Sequence, residues 1–134
     1  VYKRQLLKIM AACTEGTLAD TEVKFSEGAA CCVILASGGY PVSYEKGKPI
    51  SGLTNGQLEG ESNITVYHSG TALREDGTLV TNGGRVLGVT ATAATLPEAL
   101  KKAYAAADCI HFDKLHRRSD IGARALAAMK AQEG

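Results

Sequence analysis

The residues best suited to chemistry are Gly83-Gly84-Arg85. Paired glycines let backbone N–H groups approach an anion, and the adjacent guanidinium offers a bidentate fork that matches phosphate oxygens. A plainer account is also open: Asn82-Gly83 is a hairpin-turn dipeptide and needs no ligand to explain it. A second group, Arg117-Arg118-Ser119-Asp120, sets two cations just before an expected helix start, where the exposed N–H groups of a first turn attract phosphate. Here too there is a simple alternative, in which Asp120 complements the helix dipole and the arginines are solvated.

The remaining reactive residue types form no recognisable constellation. His68, His111 and His116 lack the i, i+4 or Cys-paired spacing of a metal site, and the first two fall in strand-like segments as surface or packed side chains. Cys13, Cys31, Cys32 and Cys109 match no zinc spacing and read as buried or half-buried free thiols. No Gly-x-Ser-x-Gly elbow, Walker loop or Rossmann fingerprint occurs. Two candidate anion sites stand without a complete catalytic set.

The elements that must position them can be read from periodicity. Leu6, Ile9, Met10 and Cys13 recur at helical spacing, with Gly16 as the stop. Val23 and Phe25 alternate as a short strand would. Ala30–Ala36 is a continuous apolar run that predicts a strand buried on both faces. Ile50–Leu53 reads as a brief strand, Thr54–Asn63 as a polar loop and Ile64–His68 as an alternating strand. Asp76-Gly77 and Asn82-Gly83 predict two type I′ hairpins, linking Ala72–Arg74, Thr78–Thr81 and Arg85–Ala91 into a three-stranded meander. Thr95 and Glu98 form a capping box with Pro97 in the first turn, opening a helix whose stripe is Leu96, Ala99, Leu100, Ala103, Tyr104 and Ala107. Ile110–Phe112 is one more short strand. Ser119 or Asp120 would cap a last helix with Ile121, Ala125, Leu126 and Met129 inward. The predicted class is α+β, a largely antiparallel sheet of short strands with flanking helices.

Length and composition agree with one compact domain: 134 residues, 45% hydrophobic and 22% charged. A net charge of +1 gives no electrostatic reason for a nucleic-acid or anionic-membrane partner. The longest apolar run, Ala29–Ser37, is strand-sized and well short of the ~18 residues that cross a bilayer. No secretory h-region follows the basic Val1–Gln5, so a cytoplasmic location is expected. Val1–Gln5 resembles translated adapter sequence and reads as non-native, on a chain entered midstream.

Five words in order resemble one family. Val33–Pro41 followed by Tyr44–Gly52 is similar to the opening of the C-terminal domain of glycinamide ribonucleotide synthetase, the single-hybrid-type domain of an ATP-grasp ligase. Tyr67-His68-Ser69-Gly70-Thr71 is similar to that family's Phe-His-Ala-Gly-Thr, and Thr81–Ala91 to its strongest word. Leu96–Tyr104 and Arg118-Ser119-Asp120-Ile121-Gly122 follow at family spacing, while Ser69, Ala94 and Arg117 depart from its usual residues.

The resemblance implies residues 1–28 as the tail of an ATP-grasp core and 29–134 as the C-terminal domain docked on that core. It implies a parent that joins glycine to 5-phosphoribosylamine with ATP and Mg²⁺ or Mn²⁺, in de novo purine synthesis. The metal ligands would belong to an Arg-Phe-Gly-Asp-Pro-Glu segment of the core, so this stretch alone is expected to be inactive and to bind neither group fully. Gly83, Gly84, Arg85 and Arg118 would be the groups facing phosphorylated substrate. Two other readings stay open: the C-terminal lobe of a different ATP-grasp ligase or carboxylase, and a packing or binding module with no active site.

Overall fold

Residues 5–60 and 62–133 are described by a computed structural model. Of the stretch read as non-native, 1–4 lie outside the described residues. The chain folds as α1 (Gln5–Glu15), β1 (Ala29–Ala36), β2 (Ile64–His68), β3 (Thr71–Leu73), β4 (Leu79–Thr81), β5 (Arg85–Ala93), α2 (Leu96–Asp108) and α3 (Ala123–Glu133), with a 3₁₀ turn at Leu18–Asp20. This is the α+β class with an antiparallel sheet and flanking helices.

β5 is the centre of a three-stranded sheet ordered β1-β5-β2. Val33, Val89 and Val66 share one row of the register, and Cys31, Ala91 and Ile64 share the next on the same face. Val33, Leu35, Leu87, Val89 and Ala91 are fully buried, because α2 lies across this face with Ala99, Leu100, Ala103, Ala106 and Ala107 turned inward. Four alanines let the helix approach the sheet closely. Thr95 caps it, its Oγ1 accepting from the Glu98 N–H at 3.4 Å. Among the described residues Glu98 returns no bond to Thr95, so only half of the capping box forms. Ile110 and Phe112 complete the core.

Several expectations are corrected. β1 is not buried on both faces. It is an edge strand whose burial alternates, with Cys32 exposed and Ile34 41% exposed, because α2 covers only the face carrying Val33 and Leu35. Val23 and Phe25 form no strand, and Phe25 is 86% exposed. Ile50–Leu53 and Ile110–Phe112 reduce to isolated bridges, Pro49 to Val80 and Ser51 to His111. Only Cys31 is buried; Cys13, Cys32 and Cys109 are exposed. α3 starts at Ala123, behind Gly122 at φ +82°. Of its expected inner face Ile121 and Leu126 are half-buried, whereas Ala125 and Met129 are exposed. The apolar side of α1 is open as well, with Leu6, Leu7 and Met10 more than half exposed and only Ala12 buried.

The meander is also corrected. The Asp76-Gly77 hairpin forms between β3 and β4, but not as the expected type I′ turn: Asp76 lacks positive φ, and a three-residue loop carries Gly77 at φ +82° with the Arg74 N–H donating to the Thr78 carbonyl. β4 and β5, however, belong to different sheets, and neither Asn82 nor Gly83 has positive φ. The type I′ Asn-Gly turn is instead Asn55-Gly56, at φ +50° and +78°, closed by paired Thr54–Gln57 hydrogen bonds of 2.9 and 3.0 Å. Gln57 then plugs the free edge of β2, its side-chain amide donating to the Val66 carbonyl at 2.8 Å and accepting the Val66 N–H at 2.9 Å.

Adjacent residues of β1 should therefore respond very differently to truncation. Leu35→Ala is expected to cost about 2–5 kcal/mol in urea unfolding, and Ile34→Ala less than about 1 kcal/mol. Equal losses would return β1 to a strand buried on both sides.

Candidate functional site

Arg85 opens β5, opposite a register shift between Leu35 and Ala36 that re-aims the end of the sheet. It is exposed, and among the described residues its guanidinium makes no hydrogen bond or ion pair. The backbone leading to it is heavily constrained. Gly83 crosses Gly70 so closely that a Cβ on either would lie 2.8 or 2.6 Å from the other's Cα. A Cβ on Gly84 would fall 2.0 Å from the ring of Tyr40, which stands edge-on to Tyr44 with centroids 5.9 Å apart. The Asn82 N–H donates to the Gly70 carbonyl at 2.7 Å, and the Gly70 N–H to the Arg85 carbonyl at 2.9 Å. Gly70 and Gly83 thus serve close backbone approach, and Gly84 admits the Tyr40 ring. The N–H groups of Gly83 and Gly84 donate to no described residue.

Beside this end of the sheet lies a 330 Å³ cleft lined by Ser37, Gly38, Ser43, Tyr44, Glu45, Lys48, Asp113 and Lys114. Lys48 Nζ bridges Glu45 at 2.8 Å and Asp113 at 3.0 Å, and Lys114 reaches Glu45 at 3.5 Å. Hydrogen bonding to Lys48, reinforced by the charge of Lys114, holds the Glu45 carboxyl below its ordinary value. Lys48 does the same for Asp113, and the two carboxylates in turn raise Lys48. The network ties the Ser37–Lys48 loop to the segment after α2.

Arg118 stands elsewhere, beyond His116, which bridges the far side of Ala36 from Arg85. Its guanidinium is held by both Asp120 oxygens, Nε to Oδ1 at 2.8 Å and Nη2 to Oδ2 at 2.7 Å. Arg117 pairs with Asp108 and lies 5.6 Å from the Tyr104 ring centroid. The Tyr104 hydroxyl donates to the Arg118 carbonyl at 3.0 Å and accepts the Ile121 N–H at 3.1 Å. The structure therefore does not bring Arg85 and Arg118 into contact. An anion at Arg118 has to compete with Asp120, whereas one at Arg85 has no carboxylate to displace.

His68 bonds the Gly56 carbonyl through Nε2 at 2.8 Å and Thr71 Oγ1 through Nδ1 at 3.1 Å. A carbonyl can only accept, so Nε2 carries a proton in this hydrogen bond. His111 and His116 are exposed. Among the described residues no group of three or more His, Cys, Asp or Glu could hold a metal ion. Sequence reasoning missed Ser37, Tyr40, Glu45, Lys48 and Asp113. Ser37-Gly38-Gly39 carried a usable signal, since consecutive glycines after a buried strand mark backbone crowding as readily as a turn.

A family model described as "Phosphoribosylglycinamide synthetase, C domain" matches residues 30–124. A phosphoribosylamine–glycine ligase of Chlorobaculum tepidum is 47% identical over 128 residues, 94% of this chain and 29% of that protein. The Synechocystis ligase is 43% identical over 122 residues, 90% and 28% respectively. The crystal structure of the Thermotoga maritima phosphoribosylamine–glycine ligase superposes with a TM-score of 0.63 at 34% identity, covering 83% of this chain and 27% of that one. The chain spans less than a third of the length of these relatives. No helix among the described residues is long and apolar enough to cross a membrane.

The ion-pair network makes a pH prediction. Glu45 and Asp113 are depressed in the folded state, so the stability they contribute is complete above their unfolded values and is lost as pH falls through the folded ones. Carboxyl-detected NMR titration should give midpoints below the ordinary 4.5 for Glu45 and 3.8 for Asp113. Both should move up toward those values in Lys48→Met, with Lys114 still holding them partly down. Midpoints unmoved by that change would mean that the network exerts no hold in solution.

Proposed function

This chain belongs to the phosphoribosylglycinamide synthetase C-domain family, and we propose that it is the C-terminal domain of a phosphoribosylamine–glycine ligase. The reading is carried by identity of more than 40% to such ligases across nine-tenths of the chain. The parent would couple ATP cleavage to joining glycine and 5-phosphoribosylamine through a glycyl phosphate, in the cytoplasm. ATP and Mg²⁺ or Mn²⁺ would sit on the ATP-grasp core. The carboxylates of the candidate site do not suit a divalent ion: Glu45 and Asp113 are paired with Lys48 and Lys114, and Asp120 with Arg118. This domain alone would therefore not catalyse the reaction.

Its part would be to close the cleft and bind the phosphorylated substrate. Arg85 would be the first contact, on the strength of its exposed guanidinium, which pairs with no described residue, two residues after Gly83, whose N–H donates to no described residue. Arg118 is the second, available once Asp120 gives way.

The docking surface of the domain would be its outer sheet face, where Ile34 and Tyr67 flank the buried Gly88 in one row and are 41% and 59% exposed. Leu6, Leu7 and Met10 of α1 are exposed as well, and would pack within the core to which that helix belongs. Residues 5–28 fold back on themselves through the Gln5 amide and the Lys24 backbone, at 2.6 and 2.9 Å. That suits the reading of 1–28 as the tail of the core, with the domain proper starting at 29.

Arg85→Ala in the full-length enzyme should raise KM for phosphoribosylamine about 10-fold or more with kcat changed far less, since it removes a charge-assisted phosphate contact. Unchanged kinetics would make the arginine structural. Ile34→Lys should leave urea unfolding of the isolated chain within about 0.5 kcal/mol of wild type while lowering activity of the full-length protein. Full activity in that variant would remove the outer face from the interface.

A further inference from the structure

We propose that Ser37 is the positioning residue that fixes Arg85 for an incoming phosphate, an inference that rests on the reading of Arg85 as the phosphate contact. Ser37 is one of two buried polar residues among those described, 4% exposed. Its hydroxyl donates to the Gly83 carbonyl at 2.8 Å and its backbone N–H to the Gly84 carbonyl at 2.8 Å. One residue thus holds the two successive carbonyls that precede Arg85. The hydroxyl has a single proton and spends it on Gly83, so Ser37 acts on a ligand only through the backbone it holds.

The clamp is itself immobilised. Tyr40 occupies the space a Gly84 side chain would need, with ring atoms 2.0 and 2.4 Å from the missing Cβ. Gly39 lies against the Ser43 carbonyl, where a Cβ would come within 2.1 Å, and Gly38 against Lys114, within 2.6 Å. On the opposite side, Gly70 closes on Gly83. Segments from four parts of the chain meet here, with only the Tyr40 ring and the Lys114 Cβ packed among backbone atoms, and Arg85 leaves from that junction into solvent. A flexible guanidinium loses less entropy and reaches a phosphate more accurately when its Cα is fixed in this way. Gly83, read from sequence as a ligand group or a turn, becomes the point where the mount is fastened.

The test is an NMR titration of the 134-residue chain with ribose 5-phosphate, following the Arg85 side-chain N–H and the Gly83 and Gly84 amides. Wild type should saturate, and Arg85→Ala should lose the response. Ser37→Ala should weaken binding about 10-fold, the scale on which partners that hold a binding group act, and Ser37→Thr, which keeps the hydroxyl, should restore it to within about two-fold. Tyr40→Leu, which withdraws the ring from Gly84, should weaken binding in the same way and carries the test if Ser37→Ala does not fold. If Ser37→Ala, or Tyr40→Leu in its place, binds as wild type while Arg85→Ala does not, the positioning role is overturned and the Arg85 reading stands. If Arg85→Ala binds as wild type, or wild type fails to bind, both fall.

Discussion

Everything in this domain hangs on β5. Its nine residues hydrogen-bond to β1 on one side and β2 on the other, and the outer strands meet only through it. Its inward residues Leu87, Val89 and Ala91 are fully buried under α2. A strand so constrained has one orientation available to its first residue, and that residue is Arg85. The requirement that β5 be buried on its inner face therefore also decides where the Arg85 guanidinium emerges.

The outer face follows a different logic. In a complete globular protein the row Ile34–Gly88–Tyr67 and the apolar side of α1 would be poor choices for solvent. Their exposure is what the proposed docking on an ATP-grasp core would require, and the chain spans less than a third of the length of its relatives. It also accounts for the unbroken apolar run of β1: alternate residues feed the core and the others face outward.

Much of the fold was legible in the sequence. β1, β2, β5, α2 and the Asp76-Gly77 hairpin all stand close to where periodicity put them, because their patterns reflect burial against neighbours in this chain. What failed had a common cause. The both-faces reading of β1, the inner face of α3 and the burial of Cys13 and Cys32 each assumed that an apolar residue is buried within its own domain. The second hairpin failed because Asn-Gly signals positive φ only when the flanking strands pair. Around Asn55-Gly56 the flanking residues Thr54 and Gln57 do pair, in an isolated bridge, whereas at Asn82-Gly83 β4 leaves one sheet and β5 enters another. At the candidate site the sequence offered Arg85 and its glycines but could not show that Arg118 is bound by Asp120, nor that Ser37 and Tyr40, more than forty residues earlier, hold the segment before Arg85.

The most direct test of the account is a structure of the full-length parent with a phosphorylated ribose ligand bound. The Arg85 guanidinium should lie about 2.7–2.9 Å from a phosphate oxygen, with Ile34 and Tyr67 covered by the core. A phosphate held wholly by other residues, with Arg85 pointing into bulk solvent, would contradict it.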